Sequence, residues 1–204
     1  PQECPVKACG RYYPERVDDV AWENDLTAFR AYGPALQETG ERAFGYDIWT
    51  KYNTTEPVVE ARYEGELNPD MKAKIAELGK TDPKAAQELY RSVSYHVDHG
   101  NGLDCYKVGP TLGGGTTALM AGDTIVYPYC YATQEILDNG PLRFTVKLVY
   151  NPLVVKGDST IIETRIITLD AGSYCNKTVV SYTNLKETMP LACLLYTSDA
   201  ADEL

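Results

Sequence analysis

The chain has no run of eighteen or more apolar residues, and its longest uncharged apolar stretch, residues 189–196, is far too short to cross a bilayer as a helix. No membrane span is expected. Positive charge is also scarce: 19 Lys and Arg against 29 Asp and Glu leave a net charge of −10, so the basic surface that neutralises nucleic-acid phosphates is missing. DNA and RNA are not expected partners. An anionic sugar is a different matter, because two or three local cations are enough to hold a carboxylate.

The six cysteines include no CxxC pair and no His-containing zinc spacing, and they are too sparse for the disulfide framework of a small secreted scaffold. Free, buried thiols are the expectation, with no resident cofactor. Residue 1 is Pro, with no basic or apolar leader after it, so the compartment must be inferred indirectly. The last twelve positions, CLLYTSDAADEL at residues 193–204, resemble the translation of a sequencing-adapter read-through and are expected to add nothing packed. Ala201 stands where a retention signal's Lys or His belongs, so the final Asp-Glu-Leu is not read as one.

What is present reads mainly as strands. Leu142, Phe144, Val146, Leu148 and Tyr150 alternate with Arg143, Thr145 and Lys147, the pattern of a half-buried strand. Asn139-Gly140 is expected to supply the positive-φ turn before it. Residues 160–169 and 177–183 are β-branched runs, and residues 27–32, 46–52 and 58–63 are also strand-like. Helix is expected in one insertion at about residues 68–91, where Asn68-Pro69 and Asp82-Pro83 each combine a capping side chain with a proline at the first helical position.

The densest polar cluster lies at residues 94–110. It holds both histidines of the chain, His96 and His99, with Asp98, Asp104, Tyr95, Tyr106 and Lys107, in a stretch that three glycines and a proline keep irregular. Several chemistries fit these groups. His96, Asp98 and His99 could hold a divalent metal. A His or Tyr could serve as acid or base on a uronate whose carboxylate is neutralised by Lys107 or an Arg. Asp98 with Asp104 or Asp25 could be a glycosidase pair, or the same groups could only bind sugar hydroxyls. The fold itself could also claim the polar groups, since a loop must satisfy its own backbone. A second cluster pairs Trp22 with Glu23 and Asp25, an aromatic face beside carboxylates as sugar sites favour, although Trp is also an ordinary core residue.

The strings PERVDDVAWEND (14–25), RAYGP (30–34), YDIW (46–49), YHVDHG (95–100), GLDCYKVGP (102–110) and NGPLR (139–143) together resemble the bacterial proteins grouped as domain-of-unknown-function 4861. That resemblance implies a secreted or periplasmic protein of a polysaccharide-degrading system and a galactose-mutarotase-like β-supersandwich. Members are longer, which makes residues 1–192 an incomplete single domain and activity a property of a longer parent. The expected fold is therefore all-β and mainly antiparallel, with a short helical insertion. The expected function is a lyase or glycoside hydrolase acting on uronate-containing oligosaccharides, with a non-catalytic carbohydrate-binding module as the alternative. The catalytic candidates are His96, His99, Asp98, Tyr95 and Lys107; the substrate-binding candidates are Trp22, Glu23, Asp25, Arg30, Asp104, Tyr106 and Arg143.

Overall fold

The computed structural model describes residues 3–52 and 54–195. Strands β1 (Ala8–Tyr13), β2 (Asp19–Asn24), β3 (Thr27–Ala31), β4 (Tyr46–Lys51) and β5 (Gly102–Asp104) form one antiparallel sheet in that order. A second antiparallel sheet holds β8 (Tyr131–Gly140), β9 (Arg143–Tyr150), β10 (Leu153–Val155), β11 (Asp158–Asp170) and β12 (Lys177–Thr183). A smaller sheet of β6 (Gly114–Ala121), β7 (Thr124–Val126) and β13 (Leu191–Leu195) completes the β structure. The protein is all-β and antiparallel, as its alternating patterns predict.

Alternation determines which side chains meet between the sheets. Val20, Trp22, Phe29 and Tyr46 of the first sheet pack against Phe144, Val146, Leu148, Ile167 and Leu169 of the second. Apolar burial of this kind contributes roughly 1.5–3 kcal/mol per large side chain. The opposite face of the first sheet is covered by α2 (Val58–Glu66), where Trp49, Val58, Val59, Tyr63 and Tyr95 form a second apolar cluster. Each face of the first sheet is thus buried, which explains why β2 and β3 have no exposed position.

Helices α3 (Pro69–Thr81) and α4 (Pro83–Arg91) follow, capped as expected: Asn68 accepts from the Met71 N–H and Asp82 from the Ala85 N–H, both at 3.0 Å. A short α1 (Pro34–Glu38) links β3 to β4. No helix among the described residues is long and apolar enough to cross a membrane.

Several sequence expectations need correction. Residues 58–63 are helix rather than strand, because the Glu23 carboxylate accepts from the N–H groups of Val58 (2.8 Å) and Val59 (3.0 Å) and so caps α2 from across the fold. The hairpin turn falls at Pro141-Leu142, with Gly140 paired to Arg143, and neither Asn139 nor Gly140 has positive φ. All six cysteines are free, but only Cys130 is buried; Cys9 is half-buried and Cys4, Cys105, Cys175 and Cys193 are exposed. Residues 193–195 are ordered as part of β13, whose Leu194 and Leu195 stay exposed while the backbone pairs with β6. Residues 196–204 lie outside the described residues.

Candidate functional site

After α4 the chain returns to the first sheet through the irregular 94–110 segment, which β5 anchors to β4. The Asp104 N–H also donates to the Tyr95 carbonyl at 2.8 Å, and the Tyr95 N–H to Glu66 at the end of α2 at 2.9 Å. These bonds hold Tyr95, His96 and Asp104 beside Arg30 of β3 and Tyr32 just after it. Between them opens a cavity of about 450 Å³, within the roughly 300–1,000 Å³ of small-molecule sites. Tyr106, Lys107, Arg16 and Glu41 also line it.

The floor is an ionic cluster centred on Arg30. Its guanidinium lies 4% exposed, donates to Asp47, meets Asp104 at 2.8 Å, and stands 3.9 Å from Asp19. Tyr63 and Tyr32 hydroxyls accept from it at 3.1 and 3.3 Å, and its plane lies over the Tyr32, Trp49 and Tyr95 rings. Three carboxylates are grouped around this one buried cation. Burial pushes the Asp47 carboxyl up to about 7, assisted by Asp104 and opposed by Arg30. Burial likewise pushes Asp19 up to about 6 against the pull of Arg30 and Arg16.

Raised carboxyl values mean that folding takes up protons between about pH 4 and 7. The stability associated with neutral Asp19 and Asp47 is present at the acid end of that window and is lost as pH climbs through about 6 and about 7. Asp47→Asn cannot ionise, so its melting temperature relative to wild type is expected to improve steadily as pH rises across this window. A difference independent of pH would mean that Asp47 is ionised throughout.

His96 stands over this floor. Its Nδ1 is 3.2 Å from the Asp104 carbonyl and 3.7 Å from the Asp104 carboxylate, while the ring contacts Tyr95 at 4.4 Å between centroids. A carbonyl can only accept, so Nδ1 carries the hydrogen in the neutral ring and Nε2 carries the basic lone pair. The side chain is 56% exposed, which leaves Nε2 accessible to a ligand. The ring is thus oriented by a backbone carbonyl, with the Asp104 carboxylate close behind it.

Other sequence candidates lie elsewhere. His99 is bound through Nε2 to the Ser94 carbonyl at 3.0 Å, and Asp98 accepts from Tyr52 and from the Gly100 N–H; neither lines the cavity. No group of three or more His, Cys, Asp or Glu among the described residues is placed to hold a metal ion. Trp22 is fully buried between Phe29 and Phe144 and donates its indole N–H to Asn176 at 2.9 Å. Glu23 is buried in an ion pair with Lys51 at 2.7 Å while it caps α2. Trp22 and Glu23 border only a smaller cleft of about 240 Å³ beside β1. Asp25 accepts from the Gly172 N–H at 2.7 Å, and Arg143 is paired with Asp170 on the second sheet. None of these four lines the cavity that holds His96.

Arg16 was not among the sequence candidates. It ends a 3-10 turn at Pro14–Arg16, donates to the Tyr95 hydroxyl at 3.2 Å, and stands 3.8 Å from Asp19. The two residues after it, Val17 and Asp18, both have left-handed φ, at 48° and 67°. Such a conformation is costly for a β-branched side chain, and no local sequence signal announces it. Gly33 is required opposite, since a Cβ there would lie 1.9 Å from the Asp18 carbonyl oxygen.

The family model described as "Domain of unknown function (DUF4861)" matches residues 2–202. "Uncharacterized protein P7" of Formosa agariphila is 30% identical over 175 residues, which cover 82% of this chain and 38% of that protein. The chain thus spans well under half the length of that relative. No solved structure matches it. With the family strings distributed over the first sheet, the cavity segment and the β8–β9 hairpin, the chain belongs to the DUF4861 family.

Proposed function

We propose that this protein is a carbohydrate-active enzyme of a secreted or periplasmic polysaccharide-degrading system, acting on uronate-containing oligosaccharides by β-elimination. The observation that carries the reading is one concave cavity in which an oriented, accessible imidazole, His96, is grouped with cations and with tyrosines Tyr32, Tyr95 and Tyr106. In that chemistry Nε2 takes the proton α to the uronate carboxylate, the electron pair forms the new C=C bond, and the β C–O bond breaks. The departing oxygen receives a proton from the imidazolium or a tyrosine.

Hydrolysis is less well supported. A glycosidase needs two carboxylates flanking the scissile bond; of the two that line the cavity, Asp104 is 2% exposed and held by Arg30, which leaves Glu41, and Asp98 and Asp25 lie outside it. A non-catalytic sugar-binding module would need a shallow aromatic platform without converging titratable groups.

The test is a panel of polyuronides assayed with the protein in the full length its gene encodes. Ultraviolet absorbance from unsaturated uronyl ends is expected on at least one substrate. New reducing ends without that absorbance would make the enzyme a hydrolase, and binding with neither signal would make it a module.

A further inference from the structure

Two cations line the cavity without being consumed by the fold, and they differ in this from Arg30. Arg30 is sealed in, with Asp19, Asp47 and Asp104 around it and two tyrosine hydroxyls on its nitrogens. It also lines the cavity, but its side chain is only 4% exposed and already faces three carboxylates. Arg16 has five N–H donors, of which one bonds the Tyr95 hydroxyl, and its single carboxylate neighbour is beyond hydrogen-bond distance at 3.8 Å. Lys107 is exposed on the cavity wall and pairs with no carboxylate among the described residues.

We propose that Arg16, with Lys107 on the same cavity wall, is the carboxylate-recognition subsite of this cavity, and that it determines selection of uronates over neutral sugars. The inference rests on the carbohydrate reading above and adds to it the groups that read the acid. The fold spends backbone strain to support this: Val17 and Asp18 adopt left-handed conformations directly after Arg16. That turn is stabilised by the Tyr12 hydroxyl on Asp18, the Ala35 N–H donating to Asp18 at 3.2 Å, and the Tyr131 hydroxyl on the Asp18 carbonyl. A strained turn braced from three sides would hold the guanidinium fork at a fixed angle, which suits bidentate carboxylate binding. Glu41, also on the wall, would repel an acid group that entered in the wrong orientation.

The probes are D-glucuronate and D-galacturonate, with D-glucose and matched sodium chloride as controls, titrated while the side-chain N–H signals of arginine are followed by NMR. At least one uronate is expected to shift the Arg16 signal saturably, with neither control doing so. R16Q is expected to weaken that binding on the order of 10- to 100-fold, the range of one charge-assisted contact. R16K should recover part of it, and K107Q, at an exposed position, should weaken it without any effect on folding. Uronate binding that is unchanged in both R16Q and K107Q, or uronates that bind no better than chloride, would overturn the proposal. If uronates bind at Arg16 but no polyuronide is turned over, the subsite stands and the elimination reading fails. If polyuronides are turned over with the same KM by R16Q and wild type, the reverse holds.

Discussion

His96→Gln is expected to lower turnover of an acidic oligosaccharide by about 10²- to 10⁴-fold, the contribution of a positioned acid or base, with little change in melting temperature. His99→Gln is expected to leave turnover within a few-fold of wild type. The contrast follows from position. His96 lines the cavity with Nδ1 engaged by Asp104, whereas the His99 ring is turned to the Ser94 carbonyl outside it. More than half of the His96 side chain is exposed, so its loss removes little buried contact. Gln keeps polarity and approximate length but cannot exchange a proton near neutral pH. Initial rates and thermal unfolding on both variants decide the matter: full turnover in folded His96→Gln would transfer the acid–base role to Tyr95 or Tyr106.

The second large effect is on stability. Arg165→Met is expected to destabilise the fold by about 3–5 kcal/mol, because it leaves Glu163 as an uncompensated charge in the interior. Both side chains are fully buried on β11 and hydrogen-bonded to each other, and Arg165 also donates to the Tyr46 hydroxyl and the Thr117 carbonyl, each at 3.1 Å. Its plane lies over Tyr150 at 4.4 Å. The paired variant Glu163→Leu with Arg165→Met removes both charges and is expected to recover much of the loss, since well-packed apolar replacements of buried ion pairs are often neutral or better. Urea midpoints for the single and double variants measure this. A single variant as stable as wild type would show that the pair contributes nothing to the interior.

Sequence patterns revealed what local physics controls. β9, β11 and β12 show period-two alternation or β-branched runs, and α3 and α4 announce themselves through Asn68 and Asp82 caps, so their positions were legible. α2 was not, because the groups that cap it belong to Glu23 on β2, and Val58-Val59 by themselves favour a strand. The same distinction governs the site. The 94–110 segment was recognisable by its density of titratable side chains, and Tyr95, His96, Asp104, Tyr106 and Lys107 do line one cavity. Trp22 and Glu23 looked equally suited to a sugar, but burial decides such cases and burial depends on pairings distant in sequence. Arg16 carried no signal at all, since its placement depends on two left-handed residues and on a glycine, Gly33, at the start of α1.

The register of the first sheet also constrains the order of assembly. Strands β1 to β4 are near neighbours in the chain, but Trp49 of β4 pairs with Asp104 of β5 only after the whole helical insertion has been traversed. Closing so long a loop costs entropy before any contact repays it, so short-range hairpins form first and this edge joins late. Until it does, Arg30 has Asp19 and Asp47 but lacks Asp104, and His96 has nothing behind its ring. The cavity is therefore expected to be the last part of the sheet to acquire its chemistry, and local opening of β5 is expected to dismantle it.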